Sequence, residues 1–572
     1  MRKLFPSCLG AALAALAVVP ALTHAQVVTV PTTPQIGSSN PAPADPLVPR
    51  PNTKPCIVQL FTNFAFDDFT PKTFNYTPPA SCPGPWAKVV FTADFTVQAG
   101  RQFDRTAAFY LGHANIYFGT TAEPRSNLSP SWHVERDVTD LSAIFKAPQI
   151  GEANLGNFVG VSGGTDFNSV IFANAALEFF PASFPDAAPR TADIVVPVNG
   201  TGGDAGTLNT TADSISQTLN LPTNVESVYL DVIAQSQIND EFWYLCVPNS
   251  EDNNLESCGG TAFRETEVSI DGKPAGVAPV YPWIFTGGID PFLWEPIPGV
   301  QTLNFRPYRV DLTPFAGLLS DGNTHTVSVS VFNANSFFSA TANMFVFTDH
   351  GSAHVTGGVT TNTLSAAPTP TINNNINFNP ATKHFTGSID TSSTRTFTIA
   401  GFVNTSHGRV DTTVQETVSF VNNQQFDVNP TTGSPDNQNV QQTTTVDSET
   451  TTHAGPFESK REQHFTYPVT IDFALNVNPD GSFSQTTSVN QQFLLDKKEH
   501  VNGSAVFRST ENNHVQSQDT LAVDANGNRS LTPSSTQTFL FQDSKGTCVS
   551  RTLTSANNVL TGVSTGQGCE TH

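Results

Sequence analysis

Thirty-nine Gly and 41 Pro punctuate this chain of 572 residues, and that punctuation limits what it can fold into. Pro has no backbone N–H to give to a helix, and Gly inside a helix costs about 1 kcal/mol relative to Ala. The runs between these breaks are short and rich in Thr, Asn, Ser, Val and Phe, residues that suit pleated strands and tight turns. Lys88–Val97 ends in apolar–polar alternation. Ser227–Ile233 and Thr324–Phe332 read the same way, and Glu265–Ile270 closes on the turn dipeptide Asp271-Gly272. Charged residues make up only 13% of the chain, which excludes coiled coils and helical arrays. The expected class is all-β, with the strand spacing of antiparallel sandwiches.

The balance of 27 basic against 49 acidic residues, net −22, excludes a basic nucleic-acid binder. Residues 1–25 read as a signal peptide. Arg2 and Lys3 precede the apolar stretch Leu9–Leu22, and Thr23-His24-Ala25 ends on a small residue suited to cleavage. That stretch is shorter than the roughly 20 residues needed to span a bilayer, and no other run is apolar enough to cross one. The mature chain is therefore expected to be secreted or periplasmic, off the membrane and monomeric. Removal of Cys8 leaves six cysteines, whose clustering predicts the bridges Cys56–Cys82, Cys246–Cys258 and Cys548–Cys569.

Composition divides the rest. Residues 26–51 are rich in Pro, Thr, Ser and Ala and read as an extended linker. Strand texture then runs through a first domain, 52–198, and a second, 199–360. Beyond Ala366-Ala367-Pro368-Thr369-Pro370 there is no Trp and only one Tyr, so 361–572 is expected to be a separate C-terminal β-rich domain that contributes no catalytic side chain. All five Trp lie before residue 300, which points to the first two domains as the part that handles sugar rings.

Several chemistries are absent from the sequence. Gly160-Val161-Ser162-Gly163-Gly164 spells GxSxG, but no helical pattern follows it, so it reads as a turn. There is no HExxH, and His113 and His133 form no ligand pair, so no metal site is expected. Two carboxylate clusters remain. In Gly100-Arg101-Gln102-Phe103-Asp104-Arg105 an acid sits between two cations that favour its charged form. In Asn239-Asp240-Glu241-Phe242-Trp243-Tyr244 two acids sit beside three aromatics, an environment that raises a carboxyl pKa. One charged acid and one protonated acid make a base and acid pair.

These segments resemble the peptide-N-glycosidase A family. So do Thr120-Thr121-Ala122-Glu123-Pro124, Asp137-Val138-Thr139, Phe263-Arg264-Glu265, Ser269-Ile270-Asp271-Gly272, Ile284-Phe285-Thr286-Gly287-Gly288-Ile289-Asp290-Pro291, Trp294 and Asp311-Leu312-Thr313-Pro314-Phe315, in order, over about residues 55 to 355. The resemblance implies hydrolysis of the amide between N-acetylglucosamine and Asn in N-glycopeptides or denatured N-glycoproteins, in acid, without a cofactor. A fainter likeness to the peptide-N-glycosidase F family implies two jelly rolls side by side. Phe103-Asp104-Arg105 is similar to that family's catalytic Asp-Arg, while Leu221-Pro222-Thr223-Asn224 and Tyr229-Leu230 resemble its entry into the second jelly roll. The Glu that the F family carries before its Phe-Arg pair falls here near Gly260, leaving Glu241, or less readily Glu265, to replace it. The resemblance thus assigns catalysis to Asp104, Glu241, Arg105 and Arg264, and substrate contact to Trp243, Tyr244, Trp294, Glu123 and Glu265. A non-catalytic carbohydrate-binding or adhesion protein is the alternative reading.

Overall fold

The structure, a computed structural model, describes residues 30–123, 125 and 127–569. The signal peptide of residues 1–25, the first four linker residues and Pro124 lie outside the described residues. The chain is all-β, as the punctuation predicts. The first sandwich contains β1 (Cys56–Phe66), β2 (Lys72–Tyr76), β3 (Trp86–Val97), β4 (Thr106–Leu111), β5 (Ala114–Thr120), β6 (Ser131–Asp137), β7 (Gln149–Asn154) and β8 (Ile171–Pro181). They form two antiparallel sheets in the orders β1-β8-β3-β6 and β2-β7-β4-β5. The second contains β9 (Ile194–Val198), β10 (Ser214–Leu219), β11 (Val225–Gln237), β12 (Glu265–Ile270), β13 (Lys273–Pro279), β14 (Tyr308–Asp311), β15 (His325–Phe332) and β16 (Phe337–Thr348). Its orders, β9-β16-β11-β14 and β10-β15-β12-β13, repeat the first pattern strand for strand. In each, eight strands split between two facing sheets in jelly-roll order, and in the second a short ninth, Gly206–Leu208, pairs with β16. Because β9 pairs with β16, the second sandwich begins at Ile194 and not after residue 198.

Alternation makes the cores. In β15 every second residue of His325–Phe332 is buried. The first sandwich is filled by aromatics, with Phe95 stacked on Trp132 at 5.1 Å and Phe91 on Tyr117 at 5.5 Å. Each such side chain contributes roughly 1.5–3 kcal/mol by burial. The sandwiches are joined by backbone and amide bonds. Asn115 and Asn343 exchange two hydrogen bonds (3.1 and 2.8 Å), and Tyr117 OH donates to Leu303 O at 2.7 Å.

Three expectations need correction. The C-terminal region is not a separate domain. It is one twelve-stranded sheet with strands as long as the 22 residues of His384–Thr405, and its inner face shares a core with the second sandwich. Trp243 packs on Phe420 (6.0 Å), Phe263 on Phe420 (5.1 Å) and Tyr281 on Tyr467 (5.1 Å). Residues 30–51 are not a free linker but a docked strap. Gly37 N donates to Leu560 O (2.7 Å), Ala44 N to Gln537 Oε1 (2.8 Å), and Arg50 pairs with Glu135 (2.7 Å), so the strap is tied to the C-terminal sheet and to the first sandwich. Finally, Cys246–Cys258 and Cys548–Cys569 are bridged, but Cys56 and Cys82 are free thiols. The Cys82 sulfur donates to Phe179 O at 3.5 Å and adjoins Cys56, and burial, then the contact with Cys56, pushes its thiol up to about 11.

Candidate active site

Asp104 ends the loop that enters β4, and its neighbour Arg105 donates its backbone N–H to Thr121 Oγ1 at 2.8 Å, holding the loop beside the end of β5. The second sandwich meets it there. The loop around 284–290 presents the Gly287 N–H to Asp104 Oδ2 at 2.7 Å, across 183 residues of sequence. Thr286 ties the same loop to the β5 side: its hydroxyl accepts from Glu123 N (2.9 Å) and donates to Thr121 O (2.8 Å). A side chain at 287 would force the Glu123 carboxyl to move. A Cβ there would lie 2.0 Å from Glu123 Oε2 and 3.2 Å from Asp104 Oδ1, so both carboxyls crowd the same backbone atom.

Glu241 completes the group, and Asp104 and Glu123 act on it electrostatically. Burial raises the Asp104 pKa, while the Gly287 N–H and Arg105 hold it down. Burial and then the Asp104 charge push Glu123 up to about 7. Burial, Asp104 and Glu123 push Glu241 up to about 8. Among the described residues none of the three makes an ion pair, and no hydrogen bond reaches the Glu241 carboxyl. Thus the carboxyl with the direct amide donor is the one set to carry charge, and the other two are set to hold protons in mild acid. The Arg105 guanidinium is tied at Nη2 to Gln102 Oε1 (2.6 Å) and at Nε to Asn157 Oδ1 (3.3 Å), leaving Nη1 uncommitted among the described residues. Phe103, 40% exposed, lies beside Asp104 with Arg101 and Arg105 over its ring at 5.5 and 5.8 Å.

The two loops from the second sandwich are strained. Ile238, before Glu241, has φ 54°, and Ile289, after Gly287, has φ 64°. A β-branched residue in the left-handed region costs on the order of 1–3 kcal/mol and persists only where its surroundings hold it. Here the C-terminal sheet does so with buried amides. Gln491 donates to Pro282 O (2.7 Å) and accepts from Val300 N (2.8 Å), bracketing the Gly287 loop. Asn422 and Gln424 donate to Tyr244 O (2.9 Å) and Cys246 O (3.1 Å), behind the Glu241 loop.

The structure therefore brings together Asp104, Glu241, Glu123 and Arg105 and sets the other candidates aside. Arg264 is fully buried, donating to Asp240 Oδ1 from Nε (3.0 Å) and Nη2 (2.8 Å) and to the carbonyls of Thr261 and Phe263. The other Asp240 oxygen accepts from the backbones of Asn335, Ser336 and Phe337, so this pair locks the loop rather than facing a substrate. Glu265 is buried against Arg395 of the C-terminal sheet. Trp243 and Trp294 are 1% and 2% exposed, and Tyr244 is fully buried. All five Trp are core residues, so none offers a face to a sugar. Sequence reasoning missed the Gly287 amide, because a backbone donor carries no side-chain signature. The Gly-Gly pair in Thr286-Gly287-Gly288 was its one trace.

A family model described as peptide N-acetyl-beta-D-glucosaminyl asparaginase amidase A matches residues 45–365. The peptide-N4-(N-acetyl-beta-glucosaminyl)asparagine amidase A of Prunus dulcis is 29% identical over 383 residues, covering 63% of this chain. That match spans 65% of the Prunus dulcis protein, just under two thirds of its length. Among solved structures, PNGase F, a glycosylasparaginase from Flavobacterium meningosepticum, aligns with a TM-score of 0.32 at 13% identity, over 52% of this chain and 96% of that one. PNGF-II aligns with a TM-score of 0.35 at 14% identity, over 52% and 66%.

Proposed function

The chain belongs to the peptide N-acetyl-beta-D-glucosaminyl asparaginase amidase A family, and on that premise we propose that it hydrolyses the amide joining the first N-acetylglucosamine of an N-glycan to an Asn side chain of a glycopeptide. The observation that carries this reading is the Asp104 carboxylate held by the Gly287 N–H, with Glu123 and Glu241 beside it, all three half-buried where the sandwiches meet. Asp104 takes a proton from water as the water oxygen adds to the Asn Cγ. The oxyanion that forms faces the free arm of Arg105. Glu241, protonated and without a partner, gives its proton to the amide nitrogen as the C–N bond breaks. Glu123 holds the glycosyl side of the cleft. The products are Asp in the peptide and a glycosylamine, which then loses ammonia to water.

The same geometry favours work in acid, where Glu241 keeps its proton while Asp104 stays charged. The leader-like residues 1–25 and the bridges Cys246–Cys258 and Cys548–Cys569 support an exported protein. Digestion of an N-glycopeptide, read by mass spectrometry, tests the reading. We expect an Asp-containing peptide and a free glycan. A peptide that retains one N-acetylglucosamine would make the chain an endoglycosidase, and unchanged substrate bound to the protein would make it a carbohydrate-binding protein.

A further inference from the structure

A cavity of about 500 Å³ is enclosed by the strap, β6, the loop 298–307 and the edge of the second sandwich. None of the carboxyls of the cleft lines it. Its walls are rich in charge, and most of that charge is paired. Arg309 takes both Asp231 oxygens, with Nε at 2.6 Å and Nη2 at 2.9 Å, and reaches Asp140 at 2.8 Å. Glu135 is held by Arg50 and His133, and Asp137 by Lys88. Arg306 is paired with Glu511.

What is left over is Asp45, which accepts from Asn513 Nδ2 at 2.9 Å and whose pKa burial raises, together with two donors. Arg136 projects from β6 into the cavity wall, and its one hydrogen bond is to Asn115 Oδ1 at 3.4 Å. Among the described residues no carboxylate pairs with it. The nearby Asp231 is already occupied on both oxygens by Arg309. Burial holds the Arg136 pKa down, to about 10, against the opposing charge of Asp231. Gln301 lines the same cavity, is 7% exposed, and its Nε2 has no partner. Its φ of 63° places a non-glycine residue in the left-handed region to present that amide. A half-buried guanidinium without an ion-pair partner can take an anion, and a buried amide N–H without an acceptor is costly to keep. A guanidinium fork matches a carboxylate or phosphate with two parallel hydrogen bonds. The volume exceeds what an inorganic ion needs and falls within the range of small-molecule sites.

We propose that this cavity is a second binding site, for a sugar-sized molecule carrying a carboxylate or phosphate, whose charged end seats on Arg136 and Gln301 beneath the strap. The site is independent of the amidase reading, since no residue of the cleft takes part. Isothermal calorimetry and thermal shift on the full chain test it, with glucuronate and glucose 6-phosphate as charged probes and glucose as the neutral one. At least one charged probe should bind and raise Tm, glucose should do neither, and which charged probe binds identifies the anion. Arg136→Gln should weaken that binding at least about tenfold while glycopeptide cleavage continues. If Arg136→Gln fails to fold, Gln301→Leu should still weaken binding severalfold. Failure of both charged probes to bind, equal binding of glucose, or wild-type binding by either variant overturns the proposal.

Discussion

In the cleft between the sandwiches, burial raises the pKa of Asp104, Glu123 and Glu241. At the seam between the second sandwich and the C-terminal sheet, it raises Glu265 to about 7, Glu416 to about 8, and Glu267 as well. Glu265 and Glu416 of the seam are buried, with Glu416 Oε1 left unpartnered among the described residues. Arg395 pairs with Glu265 and reaches Glu267 at 3.1 Å, and Glu416 accepts from Tyr308 OH at 3.3 Å. The cleft group is open, with one backbone donor on Asp104 and none on the Glu241 carboxyl. Raised carboxyl pKa values in both places show that such a shift reports burial. Chemistry requires in addition that the oxygens stay free for a substrate.

The largest expected effect breaks the seam altogether. A chain ending at Ser365 would expose Trp243, Phe263 and Tyr281, each losing roughly 1.5–3 kcal/mol of burial. It would also strip the amides that hold both site loops. Together these losses approach the whole of a marginal stability of about 5–15 kcal/mol, and we expect no folded, soluble product by yield and circular dichroism. A folded and active truncation would restore the reading of an appended domain.

A smaller break leaves the sheet in place. Above about pH 7, where Glu265 carries its charge, Arg395→Met leaves it buried without its cation and should cost about 3–5 kcal/mol, seen as a lower Tm, with activity per folded molecule unchanged. The seam also predicts a pH dependence of stability. Glu265 and Glu416 have folded pKa values above their unfolded ones, so the folded state binds more protons between about pH 4.5 and 8. Their contribution is full below about 4.5 and is lost as pH rises through 7 to 8. Tm should therefore fall from pH 5 to pH 8, and a rising Tm over that span would contradict the seam geometry.

The cleft predicts the reverse pattern, activity lost with the fold intact. Asp104→Asn should lower kcat at least about a hundredfold, near 2.7 kcal/mol, with Tm preserved. Near wild-type turnover would remove Asp104 from the mechanism. The pH–rate profile should be bell-shaped, its alkaline limb falling as Glu123 and Glu241 lose protons near 7 and 8. Glu241→Gln cannot donate that proton and should lose most of kcat. A wild-type rate in Glu241→Gln would move the acid role to Glu123.

Both regions were partly legible in the sequence. Strand alternation read directly, as in His325–Phe332, because one face of each strand is apolar. Asp104 and Glu241 stood out because their neighbours are charged or aromatic. Trp243 and Arg264 misled because closeness along the chain to Glu241 says nothing about direction. On the short turn Trp243–Leu245 the Trp ring points into the shared core, and Arg264 folds back onto Asp240. The docking of the C-terminal sheet was hidden by its chemistry. Its buried face carries amides such as Asn422, Gln424 and Gln491, which read as solvent-facing residues until the carbonyls they satisfy are known.

The smallest effect sharpens the comparison where seam and cleft touch. Gln491 sits in the sheet, yet it brackets the loop whose Gly287 N–H holds the charge on Asp104. Gln491→Leu leaves Pro282 O and Val300 N buried without partners, a cost of about 1–3 kcal/mol. If the sheet only stabilises, Tm falls and the kinetics per folded molecule stay as they were. If it positions the site, kcat also falls, by about tenfold, because a small displacement of the loop weakens the bond to Asp104. The pH–rate profile separates the two outcomes. The Gly287 N–H lowers the Asp104 pKa, so loosening it raises that pKa and moves the acid limb to higher pH. An unchanged acid limb in Gln491→Leu, with only Tm reduced, would confine the C-terminal sheet to packing.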